Sequence, residues 1–144
     1  MGKTFYSQEE MENIRTLATY YDLDAEPLFA LPLTYLCKVC NGAGEERWSD
    51  VKRKALTFAL RRYEPAFAVH DADYVMQVGK LKADKRLLKN MKKIWAKDFG
   101  FWRWFRPSAR VERRVIIPAV FAAVALCGNE AYTEAGEQKK EICP

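Results

Sequence analysis

Two consecutive segments with helical periodicity, joined by a link of a few residues, constrain the fold of this chain more than any other feature. Pro65 suits the first turn of one helix, and Gly79 suits its C-terminal cap. The other helix is predicted over about residues 82–97, with lysines on its outer face. Its inward positions are Leu87, Leu88, Met91, Ile94 and Trp95. Because the link is short, the two helices are predicted to pack as an antiparallel hairpin.

The N-terminal part of the chain is predicted to begin with another helix. Ser7 and Glu10 have the spacing of a capping box, which predicts a helix over about residues 8–22. Pro27 and Pro32 follow it and predict an extended connector. This connector leads from the first helix toward the centre of the chain.

Loops and further helices are predicted on both sides of the hairpin. A loop over residues 37–47 precedes a basic helix at about residues 50–62. A last helix is predicted over about residues 108–126, kinked or restarted at Pro118 and ended by Gly128. No alternation of apolar and polar residues is long enough to predict a sheet. The predicted fold class is therefore all-α: an antiparallel helix pair flanked by N- and C-terminal helices.

The chain has 144 residues, which is the size of one domain with its own core. We expect that core over residues 37–127, followed by a polar tail over residues 129–144. The longest apolar run, residues 115–127, is shorter than the roughly 18 residues that a membrane-spanning helix needs. The first residues lack the apolar stretch of a signal peptide, so the chain is expected to be made without one, in the cytoplasm.

The charge and cysteine content narrow the classes of function. The formal net charge is +5, from 24 Lys and Arg against 19 Asp and Glu. This mild excess favours phosphate-rich surfaces, but the sequence contains no specific nucleic-acid motif, so a nucleic-acid-binding module is the weakest interpretation. Cys37 and Cys40 form a CxxC, whereas Cys127 and Cys143 lie far apart. Without a second close pair, free thiols are favoured over a zinc site or a disulfide framework.

The helix before Gly79 carries the only histidine of the chain in the sequence His70-Asp71-x-x-Tyr74. Tyr74 shares the helical face of His70, and Asp71 adjoins that face. Ester hydrolysis needs a base that activates water, and His70 is the candidate. A carboxylate must fix the histidine tautomer, and Asp84 at the start of the neighbouring helix is suitably placed.

Tyr74 would then hydrogen-bond the carboxylate of Asp84. A hard cation can hold the developing oxyanion, bound by Asp71 and by backbone carbonyl groups of a glycine-bearing loop. The sequence supplies such a loop at residues 40–44, Cys-Asn-Gly-Ala-Gly. Each element also has a simpler interpretation: a structural histidine, solvated aspartates, turn glycines and an acid favoured at a helix N-terminus.

The His-Asp-x-x-Tyr helix, the loop before it and the Ala-Asp sequence at Asp84 resemble the phospholipase A(2) superfamily, in particular its small phage and bacterial type. The resemblance covers about residues 40–94. It implies a calcium-dependent hydrolase that cleaves an acyl ester of a glycerophospholipid, with His70 as base, Asp84 as its partner and Tyr74 as support. The calcium ligands that it implies are Asp71 and the loop residues Asn41, Gly42 and Gly44.

Three departures from the family pattern accompany this resemblance. The middle residue of the glycine-bearing loop is Ala43, where the phage type often has a cysteine. Val69 precedes the His-Asp pair, where the secreted enzymes have a cysteine, and a long basic segment separates the loop from His70. The alternative hypothesis is therefore a non-catalytic structural or interaction component of a virion or another assembly that keeps the same fold. A phage-related chain of either kind would be made in the host cytoplasm, and in the alternative it would be incorporated in a virion.

Residues 99–106 combine aromatic and basic side chains in the sequence Phe-Gly-Phe-Trp-Arg-Trp-Phe-Arg. At a phospholipid surface, the rings would lie at the level of the headgroups and the arginines would contact phosphates. Trp and Arg are equally enriched where protein subunits meet. The candidates for membrane or partner contact are Trp102, Arg103, Trp104 and Arg106. Closure of the core around the last helix is the third interpretation of this segment.

Overall fold

The computed structural model describes residues 4–41 and 60–142, and these ranges contain helices and short connections without any strand. The predicted all-α fold class is confirmed. The α-helices are α1 Gln8–Tyr20, α2 Glu26–Ala30, α3 Leu33–Val39, α4 Glu64–Met76, α5 Lys80–Phe99, α6 Pro107–Val111, α7 Ile117–Cys127 and α8 Asn129–Ile142. Most of the helix predicted over residues 50–62 lies outside the described residues, and only the short 3-10 turn Arg61–Tyr63 is described there.

The N-terminal helix begins as predicted. The Ser7 hydroxyl accepts a hydrogen bond from the Glu10 backbone amide, and the Glu10 carboxylate accepts one from the Ser7 amide. The predicted extended connector is wrong, because α2 and α3 form there. Pro27 lies in the first turn of α2 and Pro32 directly precedes α3, and these are positions at which the missing amide of proline breaks no helical hydrogen bond.

The predicted antiparallel pair is α4 and α5, and α4 is the central helix of the fold. Ten of its thirteen residues are buried, because one of its faces packs against α1–α3 and α8 and another against α5. Ala68, Val69 and Val75 belong to the first of these two apolar clusters. Phe67 belongs to the second, together with Met91 and Trp95 of α5.

The turn between α4 and α5 differs in detail from the prediction that Gly79 caps α4. The left-handed residue that ends α4 is Gln77, with φ of 56°. Gly79 has φ of 106° and lies directly before α5, where a residue with a Cβ would be strained. The Gln77 side-chain amide donates to the backbone oxygens of Tyr74 and Tyr132, which ties the turn to α8.

The C-terminal part forms a continuous helical segment from α6 to α7. The π-helical stretch Glu112–Ile116 lies directly before Pro118, where a wider turn accommodates the proline ring and its missing amide. Gly128 ends α7 as predicted. No single helix in the described ranges is long and apolar enough to cross a membrane, although residues 107–127 and 129–140 pass that test together as a pair bent by 66°.

The segment expected to be a polar tail forms α8 and packs against α4. Ala135 is buried in the apolar cluster that includes α1–α3, and Ala131 and Tyr132 pack against the same cluster. The structure therefore extends the core beyond the predicted limit at residue 127.

Candidate active site

His70 of α4 and Asp84 of α5 face each other across the antiparallel pair. The distance between His70 Nε2 and Asp84 Oδ1 is 2.9 Å, and both side chains are buried. His70 lies in the middle of α4, and Asp84 lies in the first turns of α5. The structure therefore brings together the two residues that the sequence paired.

Two further donors complete the environment of the Asp84 carboxylate. The Tyr74 hydroxyl donates to Asp84 Oδ1 at 2.8 Å, as predicted, and the Tyr74 ring packs against the His70 ring at 4.1 Å between centroids. Lys80 donates to Asp84 Oδ2 at 2.7 Å, which the sequence reasoning missed. The spacing of Lys80 and Asp84, four residues apart on one helix, was the available signal.

Lys80 also connects this set to the end of α7. Its ammonium group donates to the backbone oxygens of Val124 at 2.8 Å and Ala125 at 3.1 Å, carbonyl groups near the negative end of the helix dipole. Gly128 directly follows the last residue of α7, and a Cβ at this position would lie 2.6 Å from the Tyr74 hydroxyl oxygen. A glycine at this position therefore lets α7 end against Tyr74.

The charges of this set suit a neutral histidine beside an ionised carboxylate. Burial lowers the pKa of His70, and Lys80 lowers it further, against the opposing effect of Asp84. Burial alone would raise the pKa of Asp84, but the hydrogen bonds from His70, Lys80 and Tyr74 lower it to about 2. With Nε2–H directed to Asp84, Nδ1 of His70 carries the lone pair that can accept a proton.

The end of the segment before the glycine-bearing loop lies against α4. The Asn41 backbone amide donates to Asp71 Oδ2 at 3.0 Å, and the Cys40 thiol contacts the Ala68 carbonyl oxygen at 3.6 Å. The structure thus brings Asn41 next to Asp71, while Gly42 and Gly44 lie outside the described residues. Cys37 and Cys40 are buried free thiols, and Cys127 is an exposed one.

Carboxylate and carbonyl oxygens are the ligands that calcium prefers, and Asp71 with Asn41 offers oxygens of both kinds. Within residues 4–41 and 60–142, no group of three or more His, Cys, Asp or Glu side chains is arranged to hold a metal ion.

A second buried polar cluster on the outer side of the pair has a structural role. Arg86 donates to Asp73 Oδ1 and also lies 3.5 Å from Asp24, while the Asn90 side chain exchanges two hydrogen bonds with the Asp24 backbone. Burial raises the pKa of Asp73 to about 6 although Arg86 opposes this. These contacts fix the connector before α2 onto the α4–α5 pair.

The aromatic-basic segment forms the 3-10 turn Gly100–Trp104 and the residues after it. Trp104 packs edge-on against Trp95 of the core at 5.5 Å, and Arg103 folds back to the Gly100 carbonyl oxygen. Trp102 points outward, 64% exposed. Arg106 is exposed as well. Phe101 and Phe105, which the sequence reasoning did not single out, are the most exposed rings of the segment.

Comparisons of the chain with protein-family models, with curated proteins and with solved structures found no match.

Proposed function

We propose that this chain is a phospholipase A(2)-like hydrolase of the phage or prophage type, which uses calcium to cleave an acyl ester of a glycerophospholipid. The observation that carries the proposal is the buried set around Asp84, in which one carboxylate accepts hydrogen bonds from His70, Tyr74 and Lys80. A histidine with a structural role needs one hydrogen-bond partner. Here the partner carboxylate of Asp84 holds His70 in one tautomer and itself accepts two further hydrogen bonds.

In the proposed reaction, Nδ1 of His70 takes a proton from a water molecule while the water oxygen attacks the ester carbonyl carbon. Asp84 stabilises the imidazolium that forms, and Tyr74 and Lys80 keep Asp84 ionised and correctly oriented. The proton then passes from His70 to the oxygen of the leaving alcohol as the ester C–O bond breaks. The products are a free fatty acid and a lysophospholipid.

Asp71 and Asn41, with the carbonyl groups of Gly42 and Gly44, would hold calcium beside this histidine. When bound, calcium supplies positive charge that polarises the ester carbonyl and stabilises the oxyanion. The contact between the Asn41 amide and Asp71 supports this assignment, because it brings the start of the loop to the carboxylate.

The first experiment measures release of fatty acid from vesicles of mixed phospholipids, with calcium or with a chelator. We expect His70→Asn to lose at least about 100-fold of the rate, since it removes the general base. Asp84→Asn should lose a similar amount, because it removes the charge that supports the imidazolium. The matched control is Asp22→Asn, which changes a carboxylate whose side chain is 98% exposed and remote from the site.

Equal rates for the wild-type chain and both site variants would overturn the proposal, as would release that is indifferent to the chelator. Circular dichroism of each variant shows whether a lost rate reflects a lost fold. This control is necessary because His70 and Asp84 are buried, and the substitution of either one can destabilise the fold.

The burial of His70 favours a second candidate function. Only 7% of its side chain is exposed, which is the environment of a histidine that stabilises a helix pair. In this candidate the chain is a non-catalytic component of a virion or another assembly, and the exposed rings of residues 101–105 contact another subunit. Fatty-acid release by the wild-type chain that is lost in His70→Asn would exclude this candidate. Equal rates for the wild-type chain and His70→Asn would favour it.

A further inference from the structure

The helix α7 exposes an apolar face that nothing in the described chain covers. Its sequence, IPAVFAAVALC, contains no charged side chain, yet Ile117 is its only buried residue. The exposed residues repeat at helical spacing along the segment from α6, and they include Val111, Val115, Pro118, Ala119, Ala122, Ala123 and Leu126. Leu126 is 79% exposed. A helix that is apolar on all sides is normally buried, so this face is suited to a partner.

An exposed cluster of three rings lies just before this helical segment. Phe101, Trp102 and Phe105 pack against one another, with centroids 5.7 to 6.1 Å apart, and each ring is at least 64% exposed. The cluster is held in place from behind, because Trp104 packs on the buried Trp95. These rings are therefore held in an outward orientation. Closure of the core around the last helix, one of the three interpretations of this segment, does not apply to them.

Positive charge accompanies both apolar features. Residues 99–127 contain five arginines and a single acidic residue, Glu112. The Glu112 carboxylate accepts a hydrogen bond from Tyr63. Arg106, Arg110 and Arg114 are exposed beside the rings and the start of the apolar face.

We propose that the three-ring cluster and the outward face of residues 107–127 form a docking surface for a bilayer that contains anionic phospholipids. Exposed aromatic rings with flanking arginines suit the headgroup level, and the apolar face of α7 suits the outer part of the acyl region. The arginines are complementary to lipid phosphates, whereas pairing of two copies through this surface would bring like charges together. We name this surface the docking face.

The docking face is connected to the candidate active site. Lys80, which donates to Asp84, also donates to Val124 and Ala125 near the end of α7. Docking through α7 would thus bring the helix that holds Lys80 into contact with the membrane. This link to hydrolysis rests on the proposed function. Membrane binding itself can be measured without any hydrolysis, so the docking face and the proposed function can be refuted separately.

The test uses vesicles of ether-linked phosphatidylglycerol and phosphatidylcholine in equal parts, which cannot be hydrolysed, with pure ether-linked phosphatidylcholine as the neutral comparison. Co-sedimentation in the presence of chelator measures binding of the full chain. The variant Phe101→Ser, Trp102→Ser, Phe105→Ser should bind anionic vesicles at least about tenfold more weakly, because binding scales with the apolar area inserted. The matched control is Tyr20→Ser, Phe29→Ser, Leu81→Ser, three side chains of comparable exposure outside the docking face.

The control variant should bind within about twofold of the wild-type chain. Equal binding by the wild-type chain and the ring variant would overturn the inference, as would equal affinity for anionic and neutral vesicles. Light scattering after size-exclusion chromatography adds a decisive outcome. A wild-type oligomer that the ring variant converts to a monomer, without vesicle binding by either, would identify the docking face as a protein interface.

Discussion

At the level of single residues, Lys80 adds to the effect of burial on His70. Burial is the main cause of the lowered pKa of His70, and the Lys80 ammonium group, on the far side of Asp84, lowers this pKa further, while the hydrogen bond from Lys80 lowers the pKa of Asp84. Because the pKa of folded His70 lies below the usual 6.5, protonation favours the unfolded chain. The contribution of this histidine to stability is therefore present above about pH 6.5 and is lost as the pH falls through the pKa of the folded state.

Lys80→Met should raise the pKa of His70, because it removes a cation and leaves Asp84 more able to stabilise the imidazolium. The chain has one histidine, so a single imidazole signal in a proton NMR titration reports this pKa. The matched control is Lys85→Met, an exposed lysine on the same helix, which should leave the signal unchanged. An unchanged or lower pKa in Lys80→Met would contradict the assignment of Lys80 as a residue that lowers the pKa of His70.

At the level of helices, α8 holds the turn that positions Asp84. The Tyr132 hydroxyl accepts a hydrogen bond from the Gly79 amide at 2.9 Å, and its ring packs edge-on against Tyr74 at 5.1 Å. Tyr132→Phe should lower the free energy of unfolding by about 1 kcal/mol, since it removes the acceptor of that amide but keeps the ring. Urea denaturation measures the loss, with the exposed Tyr20→Phe as the control. Equal stability of the wild-type chain and both variants would show that α8 does not support the turn.

The same helices show how far the sequence determines this fold. His70, Tyr74 and Asp84 could be paired from sequence because a short link between two helices leaves little freedom in their register. Lys80 was missed because a lysine near a helix start is usually solvated, and its second partner, the end of α7, is distant in sequence. Sequence spacing does not reveal such tertiary partners.

Two segments were misjudged for local reasons. Pro27 and Pro32 predict an extended connector, yet proline fits the first turn of a helix, and the apolar packing of Leu28 and Leu36 makes α2 and α3 favourable. The apolar positions of α8, among them Ala135, are separated by many charged residues, so its periodicity was weak. In both cases packing against the central helix α4 decided the outcome.

At the level of the whole molecule, two of the exposed basic surfaces in the described part of the chain can be compared. One is the docking face with its arginines, and the other is the outer side of α5, where Lys82, Lys85 and Lys89 are exposed. The α5 face carries charge without the exposed ring cluster. If net charge alone drew the chain to anionic lipid, both faces would contribute equally. If the docking face is the contact, its arginines lie within a Debye length of the phosphates, about 10 Å at 0.1 M salt, and more remote charges are largely screened.

Two variants that each remove three positive charges separate these cases. At about 0.1 M salt, Arg106→Gln, Arg110→Gln, Arg114→Gln should weaken binding to anionic vesicles on the order of 100-fold, since each basic residue near such a surface contributes about 1 kcal/mol. At the same salt concentration, Lys82→Gln, Lys85→Gln, Lys89→Gln should change it by less than about threefold, because those charges would be screened. Co-sedimentation over a series of salt concentrations measures both, and the arginine variant should also lose most of the salt dependence. Equal losses of vesicle binding in the two variants would show that net charge alone accounts for the attraction. A larger loss in the lysine variant would place the membrane contact on α5 instead.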